Sequence, residues 1–335
     1  MRYLFFTFLI SLYLYSDALE DRVFQLEQEM KEVGITNESG TYGAGFTSAE
    51  FEKGWIGLQF FGSPLYWHAK VGGTEYVYEF ATNGSGKEEA HSFDWDWGYR
   101  FGSFIRLPIV KWEIIGTYTH FGTTDKEGRG VLPPSLLISL KGGATPPHYK
   151  ATSDYKIDYD NVALTLAQSS FLSRLFGIGT EIGVRKTWLE QRQGVTYEGV
   201  EKVRLKDRCR FEGIGPQLGL KLHWYLLSDF SFLSQADLSL LYGNFHVKHS
   251  ENQTDILGHA HFFAPAMHFF LGLNWGYPFR SAKLNFSIGY EAEYFWRQNQ
   301  SIKIDYKSAA RAIQLTRIAE DLTFYGVTTK CGVEF

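Results

Sequence analysis

Read in steps of two from its last residue, the chain gives Phe335, Val333, Cys331, Thr329, Val327 and Tyr325 on one face, and Glu334, Gly332, Lys330, Thr328 and Gly326 on the other. A period of two is a strand whose faces meet different surroundings. Here the apolar face runs up to a terminal aromatic. A strand of this kind suits a closed sheet with lipid outside and a polar network or water inside. In hydrocarbon no backbone edge can stay unpaired, so only helices and closed barrels span a membrane.

Composition narrows the choice. Aromatics make up 17% of the 335 residues, with 28 Phe, 20 Tyr and 9 Trp, enough to build girdles at two membrane interfaces. Mean hydropathy is -0.21, and no apolar run of transmembrane-helix length follows the N-terminus. A net charge of -4 is too mild to suggest nucleic acid as a partner. Two cysteines, Cys209 and Cys331, make no disulfide scaffold. Their positions place them at opposite ends of a barrel, unpaired within one chain.

Residues 1–18 read as a signal peptide. A positive Met1-Arg2 precedes the apolar stretch 3–15, and Ser16-Asp17-Ala18 offers small residues for cleavage. In the segment 19–53, Leu19, Val23, Leu26, Met30 and Val33 are spaced 4-3-4-3, a heptad seam two repeats long. It reads either as a short fraying helix or as a periplasmic coiled coil through which copies of the chain associate.

From residue 54 to 335 the pattern is strand, connection, strand. Ten spans are read, at 54–71, 88–105, 109–123, 152–170, 174–193, 206–227, 229–248, 260–277, 282–299 and 321–335. They are longer than ordinary soluble strands of ~5–6 residues. The connections alternate short (near Pro108, Ser173, Ser228 and Pro278) and long (72–87, 124–151, 194–205, 300–320), with 249–259 of intermediate length in a long position. Short periplasmic turns alternating with long external loops mark a transmembrane antiparallel β-barrel. The fold class read is therefore all-β, with about ten strands and twelve as the upper count. In the fourth span the apolar phase slips between Tyr159 and Val162, which predicts a β-bulge near Asp160. The stretch 132–140 could constrict the lumen or add a small hairpin, and 308–322, with Ile313, Leu315, Ile318 and Leu322, reads as a loop helix; either could cap the lumen, or both pack on the barrel rim, the reading preferred.

Several segments resemble one family. Phe93-Asp94-Trp95-Asp96-Trp97-Gly98-Tyr99-Arg100-Phe101-Gly102, followed by Trp112 and Tyr118-Thr119-His120-Phe121, resembles the opening hairpin of the Legionella-type major outer membrane proteins, with related pore-forming proteins in chlamydia-like bacteria. Gly213–Leu220, Ser239–Gly243, Phe270–Gly276, Gly289-Tyr290-Glu291, Trp296–Gln300 and the final strand follow in the same order. The resemblance implies an outer-membrane barrel described as pore-forming. It supplies no catalytic residues.

If the apolar face meets lipid, the other face carries Asp94, Asp96, Arg100, Glu113, Glu181, Arg185, Lys221, Asp237, Glu291, Glu293, Arg297 and Lys330 into the barrel. Such charges must pair or stay hydrated. Ten strands at ~4.8 Å spacing and ~40° tilt enclose a cylinder roughly 20 Å across, between side-chain-filled eight-stranded barrels and wide porins. The function read is a porin-like diffusion channel for small hydrophilic solutes, with a closed structural or adhesive surface barrel without conductance as the alternative. His246, His249, His259 and His261, with Asp255, match no catalytic or metal-ligand spacing, so no enzyme, cofactor or metal is expected. The expected partners are outer-membrane lipid and the assembly machinery, for which Phe335 is the expected signal.

Overall fold

The computed structural model describes residues 57–80, 86–107, 112–141, 148–173, 175–226, 230–252, 254–279, 282–307 and 312–335. The segments read as signal peptide and heptad helix, 1–18 and 19–53, lie outside them. Among the described residues there are thirteen strands and no helix. They are β1 (Gly57–Val71), β2 (Val77–Phe80), β3 (Gly86–Glu89), β4 (Trp95–Arg106), β5 (Glu113–Gly130), β6 (Leu136–Ser139), β7 (His148–Phe171), β8 (Phe176–Gly199), β9 (Lys202–Tyr225), β10 (Phe230–Glu251), β11 (Thr254–Phe279), β12 (Ala282–Lys307) and β13 (Ala312–Glu334).

The ten long strands close a ring, β1-β4-β5-β7-β8-β9-β10-β11-β12-β13 and back to β1, every pair antiparallel. The closing ladder runs from Gln59↔Glu334 to Val71↔Leu322. It extends to the last residue: the Phe335 N–H donates to the Leu58 carbonyl at 2.9 Å and the Leu58 N–H to the Phe335 carbonyl at 3.2 Å. The terminal aromatic is thus a paired residue of the wall. The three short strands sit in two connections. β2 pairs with β3 and β6, and β6 meets β7 through Leu137↔His148. The apolar stretch 132–140 therefore contributes a strand to the sheet rather than a constriction.

On several long strands the two faces exchange character partway along. On β9, Ile214, Leu218, Leu220, Leu222 and Trp224 point outward and exposed. From Ile214 to Trp224 is ten residues, ~34 Å along the strand and ~26 Å vertically at a ~40° tilt, the height of the lipid-facing band of an outer-membrane barrel. Beyond Ile214 the outward residues are Glu212, Arg210, Arg208 and Lys206, while Phe211, Cys209 and Leu205 are buried inside. On β7 the same exchange sets exposed Val162, Leu164 and Leu166 against buried Tyr155, Ile157 and Tyr159. Each face follows its surroundings. Within lipid the outside must be apolar; above it the outside meets water and the inside becomes an ordinary hydrophobic core.

This exchange corrects three readings. No bulge lies near Asp160, where the ladders of β7 with β5 and β8 run unbroken from Lys150 to Ala167. The slipped phase is the exchange itself. Of the stretch 308–322, the described part from residue 312 is strand rather than helix: β12 and β13 stay paired from Asn299↔Glu320 to Lys307↔Ala312. The 194–205 connection is likewise mostly strand, paired up to Glu198↔Lys202. Both hairpins continue beyond the lipid band, where pairing satisfies the backbone as well as water does. The register shift that does occur lies in β12 between Phe295 and Asn299. Both cysteines are free, Cys209 buried and Cys331 exposed.

Candidate functional site

The distinctive chemistry lies inside the ring. At the level of the upper lipid band a charged cluster joins six strands. Arg100 on β4 donates from Nη2 to Glu291 Oε1 on β12 at 2.7 Å. His268 on β11 bridges two carboxylates, with Nε2 2.5 Å from Glu291 Oε1 and Nδ1 2.7 Å from Asp237 Oδ2 on β10. The second Glu291 oxygen accepts from the Thr328 hydroxyl on β13 at 2.5 Å, and Thr328 accepts from the Trp67 indole at 3.0 Å on β1. Beside it, Arg185 on β8 pairs with Glu293 at 2.5 Å, each side chain 3% exposed, and also donates to Asn161 Oδ1 at 2.7 Å and the Tyr159 hydroxyl at 2.8 Å. Charges this deep demand such pairing, because an uncompensated one would be far more costly than its net worth as a pair.

Directly above is an aromatic plate. Trp67, Phe121, Tyr159, Phe295 and Phe324, all at most 1% exposed, meet with ring centroids 5.1–6.3 Å apart. Phe211, Phe245 and Phe262 complete the far side, with successive centroids 4.5 Å apart. Nine of the ten long strands contribute to this one cluster. The exception, β4, contributes space: a Cβ at Gly98 would come 3.1 Å from the Phe121 ring and 2.7 Å from the His120 carbonyl. Arg100 and Arg185 lie under the plate, 5.8 Å from the Trp67 centroid and 5.4 Å from that of Phe295, a cation–π floor. A second apolar cluster, with Tyr76, Leu137, Val195, Tyr197 and Leu205, fills the barrel further out.

Below the charged cluster the interior opens. Two cavities of ≈ 220 and ≈ 260 Å³ share Phe104, Glu113, Lys221, Leu233, Gln235, Ser287 and Lys330 in their linings. Lys221 pairs with Glu181. Arg106 bridges Glu113 and Glu334 at 3.0 and 2.8 Å. Lys330 has its ammonium 3.8 Å from the Phe61 centroid.

Of the twelve sequence-derived charges, Arg100, Glu181, Arg185, Lys221, Asp237, Glu291 and Glu293 are brought together, with Glu113 and Lys330 around the cavities. Asp96 accepts from the Thr123 hydroxyl at 2.5 Å, away from that group. Asp94 is exposed ahead of β4. Arg297 is exposed at the β12 irregularity, with φ of 52°; its N–H donates to Asp321 Oδ1 at 2.7 Å. The shift there moves it off the alternation that Glu291 and Glu293 obey. Sequence reading missed His268 and Arg106. Both follow the inward phase of their strands, and that phase was the available signal.

Above the lipid band His91 makes the contact order of a hydrolase triad: Nδ1 is 2.7 Å from Asp125 Oδ2 and Nε2 is 2.7 Å from Ser153 Oγ. Burial lowers the His91 pKa, against the neighbouring Asp125 carboxylate, which raises it. Ser153 is 3% exposed, and the His91 ring is enclosed by Tyr76 and Tyr155 with centroids 5.6 and 5.5 Å away. The network satisfies buried polar groups. On the outer wall His246 and His259 face each other, Nδ1 to Nδ1 2.8 Å; His249, buried on the inner face, pairs with Asp207 at 2.5 Å. Among the described residues no group of three or more His, Cys, Asp or Glu side chains could hold a metal ion.

The family model of the Legionella pneumophila major outer membrane protein precursor matches residues 52–335. No curated protein matches the chain. Among solved structures, the outer membrane protease OmpT from Escherichia coli is similar at 11% identity and a TM-score of 0.42, covering 85% of this chain and 99% of that one. A Pseudomonas aeruginosa FadL homologue is similar at 7% identity and 0.26, covering 84% and 90%. The Pseudomonas putida toluene transporter TodX is similar at 7% and 0.26, covering 83% and 89%. Scores this low carry no argument about activity.

Proposed function

Since the chain belongs to the Legionella pneumophila major outer membrane protein family, its place is the bacterial outer membrane, and we propose that there it is a closed structural barrel rather than a diffusion pore. The observation that carries this reading is the aromatic plate. Nine strands send buried apolar side chains into one continuous cluster, and a second apolar cluster lies beyond it. A hydrated solute crossing that section of the barrel would have to displace buried rings that touch one another, and protein interiors resist such displacement. The charged cluster beneath then acts as a paired polar core that ties six strands together. The reading assigns no catalysis: the buried Ser153–His91–Asp125 network holds the outer part of the barrel. Phe335 serves as the assembly signal.

The competing reading is a channel for small hydrophilic solutes. The cavities of ≈ 220 and ≈ 260 Å³ below the cluster favour it, because they give a vestibule from which conduction could start. Planar-bilayer recording separates the two. The closed barrel gives no reproducible single-channel steps for the wild-type protein. Steps in wild type, with a reversal potential moved toward anions by Glu291→Gln and Glu293→Gln together, would overturn the closed reading.

A further inference from the structure

The outward residues of β9 above the lipid band form a run of alternating cations: Arg210, Arg208, Lys206, Arg204 and Lys202, all exposed. At ~3.4 Å per residue and ~40° tilt, the first four stand roughly 10 to 26 Å above Ile214, the last lipid-facing residue of the strand. Arg192 on β8 lies directly across from Arg208. These two guanidiniums share one carboxylate, Glu190, at 2.6 and 2.5 Å. Hydrogen bonding from Arg192, with Arg208 beside it, holds the Glu190 carboxyl down at about 2. Arg204, Lys206 and Arg210 form no ion pair among the described residues. The five cations Arg192, Arg204, Lys206, Arg208 and Arg210 against Glu190 leave a local charge of +4 (5 minus 1), on a chain whose net charge is -4.

Like charges placed side by side on a sheet cost stability, so the patch needs an anion. Its height selects the source. It starts just above the hydrocarbon edge on the side away from the short turns, where the headgroups of the outer leaflet stand. Arginine suits phosphate there, because its planar fork makes two parallel hydrogen bonds to one oxyanion. The β7 wall carries Asp154, Asp158 and Asp160, and its outward cations Lys150 and Lys156 are paired with Glu198 and Asp158, so the run of cations is confined to one side.

We propose that the outer face of β9, with Arg192 of β8, binds the phosphate groups of the anionic glycolipid that forms the outer leaflet of the outer membrane. The test uses the full-length folded protein in neutral detergent, titrated with purified lipopolysaccharide, with the same glycolipid after enzymatic removal of its phosphates, and with inorganic phosphate. Arg204→Glu, Lys206→Glu and Arg210→Glu together reverse three cations that form no ion pair among the described residues. A control reverses three exposed lysines elsewhere, Lys87, Lys126 and Lys156. The patch variant should lose roughly a hundredfold in affinity, from about tenfold or less per basic group, and the loss should shrink as salt rises. The control should change less than about threefold, and the dephosphorylated glycolipid should bind wild type no better than the phosphorylated form binds the patch variant. Equal loss in the control, undiminished binding of the dephosphorylated glycolipid, or binding of inorganic phosphate as tight as that of the glycolipid would each overturn the proposal. Unchanged heat-modifiable mobility in both variants establishes that the barrel is intact.

Discussion

Glu293→Gln is the substitution that most sharply separates a filled interior from an open one. The change keeps the shape of the side chain and removes one charge. Its partner Arg185 retains the Asn161 and Tyr159 hydrogen bonds, while its charge loses the carboxylate it pairs with. With both side chains 3% exposed, removing one member of a buried pair costs about 3–5 kcal/mol. A loss of ~4 kcal/mol is about a thousandfold in the folded-to-unfolded ratio. In a water-filled channel the same pair would be worth only ~0–1 kcal/mol. Equilibrium unfolding in denaturant, in detergent micelles and followed by tryptophan fluorescence, measures the difference. Arg185→Met with Glu293→Leu should return to within ~1 kcal/mol of wild type or exceed it, because a buried pair replaced by packed apolar groups is often neutral or stabilising. A cost below ~1 kcal/mol for Glu293→Gln alone would refute the filled interior and return the channel reading to the front.

In a cysteine-free background, Glu201→Cys should be labelled by a membrane-impermeant thiol reagent on intact cells and Ser173→Cys only after the outer membrane is opened; the reverse would invert the topology. Burial lowers the His91 pKa from its ordinary 6.5, so the unfolded chain binds the proton more readily and stability rises with pH. That contribution is complete above about 6.5 and lost as pH falls below it; denaturant midpoints at pH 7.5 and 5 should differ less in His91→Gln than in wild type, and an unchanged difference removes His91 as the cause. Deleting Phe335 removes the reciprocal backbone pair with Leu58 and should lower the fraction of heat-modifiable barrel more than deleting Val200 does; wild-type levels would count against the assembly role.

The barrel was legible in the sequence because alternation at a period of two carries it directly, and the ten spans correspond in order to the ten long strands. What was not legible is the height at which the faces exchange. Alternation has the same period on both sides of that height, so Tyr155, Ile157 and Tyr159 followed by Val162, Leu164 and Leu166 looked like a slipped strand. Where outward residues turned polar, the strands looked as if they had ended, which is why 194–205 and 300–320 read as loops. The charged residues were found by their phase along each strand. Their pairing was not, since Arg100 and Glu291 are 191 residues apart in sequence and only ring closure brings them together. Arg297 was lost to a local irregularity that no composition signal marks. The cations at 202, 204, 206, 208 and 210 were visible all along as a period-two run. They become informative only once the lipid band is placed below them.

A lysine scan along β9 tests that placement in full. Leu218 is near the middle of the Ile214–Trp224 band and is 58% exposed, so Leu218→Lys should cost about 2–4 kcal/mol, the penalty for a cation on the lipid face at the bilayer midplane. Ile214→Lys, at the edge of the band, should cost ~0–1 kcal/mol because the side chain reaches the interface. On the inner face the order reverses. Gln217→Leu is mild in the polar half, whereas Phe211→Lys, in the plate at 1% exposure, buries an unpaired charge and should exceed ~4 kcal/mol or prevent folding. Lys206→Leu, outward above the band, should fall within about ±0.5 kcal/mol. The costs are read from folding equilibria in bilayers, with folded fraction after dilution from denaturant as the measure for Phe211→Lys. The faces must trade sensitivity between Phe211 and Ile214. If Lys206→Leu and Leu218→Lys cost the same, no lipid boundary lies between them, and the hydrocarbon edge no longer explains why the aromatic plate sits at the height it does.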